Sequence, residues 1–148
     1  MKLSIHHFSP YLPYGVEVYD PDAKGNRKTF TLDADALSIM DFRGFEKYRL
    51  VLKPLNLLLK NIKIYVLENE INGKMTDKIN EWVDYIIISG WVDYAISISR
   101  RNNIADRNNI ADIILFAPYP VIKWALKNHY DIYNLIPNEL AVEKGGEL

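Results

Sequence analysis

Three histidines, His6, His7 and His129, are the residues of this sequence best suited to move a proton or hold a metal ion. A metal site needs them to converge with carboxylates. His6 and His7 are adjacent, and neighbours on a strand point to opposite faces, so they are not expected to share an ion. His129 stands in His129-Tyr130-Asp131, where Tyr130 and Tyr133 read as packing residues and the histidine as an ordinary, partly buried one. Asp33, Asp35 and Asp41 lie near one another around an expected loop. Acids so placed are normally solvated; a hydrolytic or metal role would need a pocket that perturbs their pKa. Cysteine is absent, which excludes disulfides, thiolate metal sites and a cysteine nucleophile. The scattered glycines form no phosphate-binding loop, dinucleotide fingerprint or nucleophile elbow. No catalytic, metal-binding or cofactor-binding residue is therefore expected, and the chain reads as non-enzymatic.

Two clusters suit binding instead. Tyr11 and Tyr14 stand with Pro10 and Pro13 in Ser9-Pro10-Tyr11-Leu12-Pro13-Tyr14-Gly15. Tyrosine is frequent at binding surfaces because it covers much area at low entropic cost; the same rings could instead pack on the core. Arg100, Arg101 and Arg107 form a small basic cluster, offset in part by Asp106 and Asp112. It would meet an acidic surface or a phosphate backbone, though as a nucleic-acid stripe it is thin, and a solvated loop would look the same.

The elements that must position these residues follow from periodicity. Residues 1–8 fit a short helix or a strand equally. Two prolines and a glycine exclude regular structure at 9–15. Val16 and Val18 begin a strand, residues 20–26 are a polar turn, and 28–32 are the return strand of a hairpin. Residues 48–53 alternate as a strand that Pro54 stops or puts at an edge. Residues 63–67 are a further strand candidate, closed by an Asn72-Gly73 turn. Ile79, Trp82, Val83, Ile86 and Ile87 form a helical stripe with Thr76 as N-cap and Gly90 as stop. From Trp91 the period shifts to two, which predicts a strand over Val92, Tyr94, Ile96 and Ile98. Pro120 opens a second helix carrying Val121, Trp124, Ala125, Asn128, Ile132 and Leu135, ended by Pro137. Trp82 and Trp124 are the expected core anchors of the two helices. Hairpins first and helices later predict an α+β fold, with a small antiparallel sheet packed by two main helices.

Length and charge bound the rest. A chain of 148 residues suits one domain spanning residues 1–148. With 49% apolar and 25% charged residues the composition is that of a folded globular protein. The net charge of −1 weakens the case for nucleic acid as partner without removing it. The opening residues lack the apolar run of a signal peptide, and the longest apolar stretches are too short to cross a bilayer, so residence in the cytoplasm of a host bacterium and no membrane partner are expected.

Two duplications stand out: Trp82-Val83-Asp84-Tyr85 recurs as Trp91-Val92-Asp93-Tyr94, and the hexamer at 101–106 recurs unchanged at 107–112. Two short copies do not make a solenoid. Slippage in an AT-rich gene explains them, if the segment is exposed. Six residues turn a helix by about 240°, so an added hexamer would misalign a packed helix, and residues 100–112 are expected to protrude as a loop.

The opening Ser9–Val18 segment, with Tyr48-Arg49-Leu50-Val51-Leu52-Lys53-Pro54-Leu55 and the close from Ala125 to Ala141 that holds His129-Tyr130-Asp131-Ile132-Tyr133, resembles a family of small proteins of Bacteroidetes phages and prophages. That family carries an APYLPYGL opening, an LRPLSDL segment and an HFDVFGLIEKGLA close. The resemblance covers both ends, about half the chain, while residues 70–112 depart from it. It implies a phage accessory protein without a known mechanism. Together with the missing active site it leads to the expectation of an inhibitor that binds a host or phage protein, or a nucleoprotein complex, such as a host defence nuclease in the anti-CRISPR manner. The alternative is a replication or recombination accessory that touches nucleic acid through Arg100, Arg101 and Arg107.

Deletion of residues 107–112 is expected to leave the fold intact, because a close-packed interior would not have absorbed a duplicated hexamer. Thermal unfolding checks this: a collapse of Tm would place the segment inside the packed structure.

Overall fold

The computed structural model describes residues 2–25, 27–72, 79–101, 113–114 and 116–144. The chain divides into two compact units: unit one is Met1–Pro54 with Leu126–Leu148, and unit two is Leu55–Ala125. The fold is α+β with a small sheet, as expected.

Unit one begins with α1 (Ile5–Phe8), continued by a 3-10 helix, Ser9–Tyr14. The two prolines do not exclude regular structure here. Pro10 sits at the helix start, where its fixed φ suits the turn and its missing N–H is not needed. Gly15 ends it at φ 63, a left-handed conformation that glycine takes without strain. The chain then enters β1 (Glu17–Tyr19) and returns in β2 (Thr29–Thr31), pairing Val18 with Phe30 in the expected hairpin. The expected loop around Asp33 is instead α2 (Ala34–Arg43): the Asp33 carboxylate accepts the Ala36 N–H at 2.7 Å, as an N-cap does. β3 (Arg49–Leu52) is central, antiparallel to β1 on one side and parallel to β4 (Ala141–Glu143) on the other, giving the order β2-β1-β3-β4. Pro54 thus stops an internal strand and does not mark an edge. The sheet is therefore mixed and not the antiparallel one expected, because β4, which the sequence did not reveal as a strand, pairs parallel with β3. Phe8, Tyr11, Val18, Met40, Leu50, Leu52, Tyr130 and Leu135 are buried in this unit's core.

Unit two departs most from expectation. Residues 63–67 belong to α3 (Leu58–Asn72), where Leu58, Ile62 and Val66 are buried at a four-residue spacing. Local β-branched composition is a weak prior, and packing overrides it. α3 packs on α4 (Ile79–Arg101), which runs without a break through Gly90 and the whole segment expected as a strand. Ile88, Trp91, Val92 and Ala95 are its buried stripe, at i, i+3, i+4 and i+7. The alternation from Val92 onward is incidental, and Tyr94 points to solvent. α5 (Tyr119–Lys127) holds Pro120 in its first turn as expected, and buries Val121 and Ala125. Trp124 is only half-buried, packed against Tyr65 with ring centroids 5.7 Å apart. Helix α5 stops ten residues before Pro137, because His129 adopts the left-handed conformation, φ 63, that closes a helix. The expected Thr76 cap, the Asn72-Gly73 turn and the protruding repeat at 102–112 lie outside the described residues, as does the side chain of Trp82.

The Trp-Val-Asp-Tyr copies sit nine residues apart on this one helix, and nine residues are two and a half turns. They therefore face opposite ways: Val92 is 2% exposed and Val83 45%. Trp91→Ala is expected to destabilise the chain by about 3–5 kcal/mol, and Val83→Ala by less than about 1 kcal/mol. Denaturant unfolding of the two variants checks this; equal losses would contradict the two-faced helix.

Candidate functional site

The residues at which the sequence suggested function have four different settings. Tyr11 is fully buried, which removes it from any docking surface. Its hydroxyl donates to the Tyr130 carbonyl at 2.6 Å and accepts the Ile132 N–H at 3.3 Å. Burial pushes the Tyr11 hydroxyl far up from its ordinary pKa, so it remains a donor. Tyr14 is half-buried, and its carbonyl accepts a hydrogen bond from His129 Nε2 at 2.7 Å. Arg100 and Arg101 end α4 in unit two. Arg107 lies outside the described residues. The tyrosines belong to unit one and the two arginines to unit two.

The Tyr11 hydroxyl belongs to a buried polar knot. The Asp131 carboxylate, 1% exposed, accepts the Leu135 and Ile136 N–H groups, each at 2.8 Å. On either side of Tyr130, the Lys53 N–H donates to the His129 carbonyl at 2.8 Å and the Asp131 N–H to the Lys53 carbonyl at 3.0 Å. The Lys53 ammonium lies 5.3 Å from the centre of the Tyr130 ring. The Tyr11 hydroxyl and the Asp131 carboxylate both pair with backbone groups, and neither residue lines the two cavities described below. The knot is structural. Among the described residues, no three His, Asp or Glu side chains converge as metal ligands would.

Two surface features remain, and neither was visible in the sequence. In unit one, α2 presents Phe42, 92% exposed, and the exposed Ile39 one turn before it. Beside them is a cavity of about 220 Å³ lined by Asp20, Phe30, Ala36, Ile39, Met40, Arg43 and Tyr48. Asp35 and Asp41 are exposed on the same helix. The signal that could have found this face is the Asp33 cap followed by apolar residues. In unit two, a groove of about 600 Å³ is lined by Ile86, Ile87, Gly90, Trp91 and Tyr94 of α4 with Ile113, Phe116 and Pro118. No charged side chain is among these. No helix of the described residues is long and apolar enough to cross a membrane. Compared with known proteins, the chain matches no family model, no curated protein and no solved structure.

The knot carries a pH signature. Burial raises the Asp131 carboxyl above its ordinary pKa, outweighing the hydrogen bonds from Ile136 and Leu135 that pull it down. The folded chain thus holds this proton more tightly than the unfolded chain. The contribution of Asp131 to stability is greatest below the unfolded pKa and falls as pH rises through the folded one. The stability of wild type minus that of Asp131→Asn is expected to decline with rising pH across the carboxylate range. Unfolding at a series of pH values measures it, and a difference that grows with pH would contradict the direction.

Proposed function

We propose that this chain is a non-enzymatic accessory protein of phage type that works in the bacterial cytoplasm by binding a protein, and that its partner is a host defence nuclease blocked in the anti-CRISPR manner. The observation that carries the reading is the outer face of α2. A phenylalanine at 92% exposure loses the benefit of burial in the free chain and recovers it only against a partner. Aromatic side chains with a neighbouring arginine, here Phe42 with Arg43, are the composition of binding hot spots. Asp35 and Asp41 put negative charge on the same helix, which suits an apolar pocket with a basic rim. The nucleic-acid channel of a nuclease offers such a rim, because it must neutralise phosphates. The phage-type resemblance of the two chain ends supports the same class of partner.

Capture from a lysate of the host, treated to remove nucleic acid, tests this with wild type and Phe42→Glu side by side. Wild type is expected to retain a nuclease and inhibit its cleavage. Phe42→Glu is expected to lose at least about tenfold in affinity, the scale of a hot-spot residue, with Tm unchanged because Phe42 packs on nothing. Capture that disappears with the nucleic acid, or that ignores the substitution, would overturn the reading.

A further inference from the structure

The outer face of α4 shares no residue with the α2 face and raises a separate question. A surface helix is normally polar on the side away from its core. α4 is only partly so: opposite the buried Ile88, Trp91, Val92 and Ala95 it exposes Val83, Ile86, Gly90 and Tyr94, with Asp93 and Ser97 the exposed polar residues. Gly90 is the centre of this face. It lies inside a 23-residue helix, where glycine costs about 1 kcal/mol relative to alanine. No positive φ requires it, and a Cβ there would meet nothing within 4 Å. Nothing within the described chain explains a glycine at this position. A second backbone approaching from outside would.

We propose that two copies of this chain associate through α4, the helices crossing antiparallel about a twofold axis at Gly90. The residues are arranged for it. Ile86 and Tyr94 stand four residues before and after Gly90, so a twofold axis there sets Ile86 of each copy against Tyr94 of the other, with the two glycines at the closest approach. A twofold interface must be complementary to itself in this way. Its middle must also be free of charge, since any charge on the axis meets its own copy. Between Ile86 and Tyr94 the only charged residue is Asp93, three residues off the axis and exposed, a rim position. Phe116, 89% exposed, and Tyr94, 59% exposed, flank the groove.

Area sets the strength. Aromatic side chains bury about 150–250 Å² each, so the exposed parts of Phe116, Tyr94 and their aliphatic neighbours come to roughly 500 Å² per copy. The pair would bury roughly 1,000 Å², near the lower bound of a specific interface. An interface of that size is expected to be a reversible, transient one.

Analytical ultracentrifugation of the full chain tests the proposal. The mass is expected to rise with concentration from 17.2 kDa toward twice that. Gly90→Lys places an ammonium on the axis and is expected to weaken association at least about tenfold, while the free helix keeps or gains stability because lysine is the better helix former. Gly90→Glu is expected to do the same alone. Mixing the two variants is expected to restore a dimer containing one copy of each. A chain that remains at 17.2 kDa up to millimolar concentration would overturn the proposal and leave the groove to another occupant. So would a dimer indifferent to both variants, or variants whose mixture does not recover association. Should either Gly90 variant fail to fold, Tyr94→Lys, on an exposed residue, is expected to weaken the dimer in the same assay, and indifference to it counts against the proposal equally.

Discussion

Unit one depends on a single buried polar junction, the hydroxyl of Tyr11 between the Tyr130 carbonyl and the Ile132 N–H. The two partners are separated by 119 and 121 positions along the chain. Burying a hydroxyl and two peptide groups costs several kcal/mol unless all three are paired, and here each pairs with another. The junction therefore fixes the register between the opening and the closing segments. Asp131, between the two peptides that Tyr11 holds, extends the same logic: its carboxylate satisfies the Leu135 and Ile136 N–H groups of the turn that follows. The pairing of Lys53 with His129 and Asp131 joins the closing segment to the end of β3.

Backbone strain collects where this junction over-determines the path. Among the described residues, the three non-glycine residues with positive φ, His129, Asn134 and Glu139, all lie in the closing segment. Each costs on the order of 1 kcal/mol against a right-handed alternative. His129 is held by its side chain on the Tyr14 carbonyl, and the Glu139 carbonyl accepts from Arg49 Nε at 3.1 Å. With the path so fixed, Ala141–Glu143 arrives beside β3 running the same way, and a parallel pair follows. A parallel pair needs a long crossover, and this chain supplies it by placing all of unit two, residues 55–125, between the two strands.

That arrangement explains what the sequence discloses. The β1–β2 hairpin was legible because its signals are local: β-branched alternation on both sides of a polar turn. The Pro120 start of α5 was legible for the same reason. β4 was not, since three residues without turn chemistry become a strand only through a partner 91 positions away, as Leu50 is to Ala141. The end of α5 was hidden because histidine, not glycine, takes the left-handed position. Tyr11 was ambiguous in principle. A proline-flanked tyrosine serves a docking surface or an internal hydrogen bond equally well, and the deciding acceptor is more than a hundred residues distant. The α2 face went unread because Asp33 looks the same in a loop and at an N-cap.

α4 was misread for a further reason, which also accounts for its surface. Copying the Trp-Val-Asp-Tyr segment at an offset of nine rotates it by half a turn. A helix that buries Val92 of the second copy must then turn Val83 of the first outward, so across both copies the apolar period largely cancels. The local pattern that remained was the alternation after Trp91, which imitates a strand. The same half-turn puts apolar residues on both sides of α4, with Val92 buried and Val83, Ile86 and Tyr94 exposed. Helix α3 covers one side. The duplication that blurred the helix in the sequence thus also supplies Val83 and Tyr94 to its exposed face.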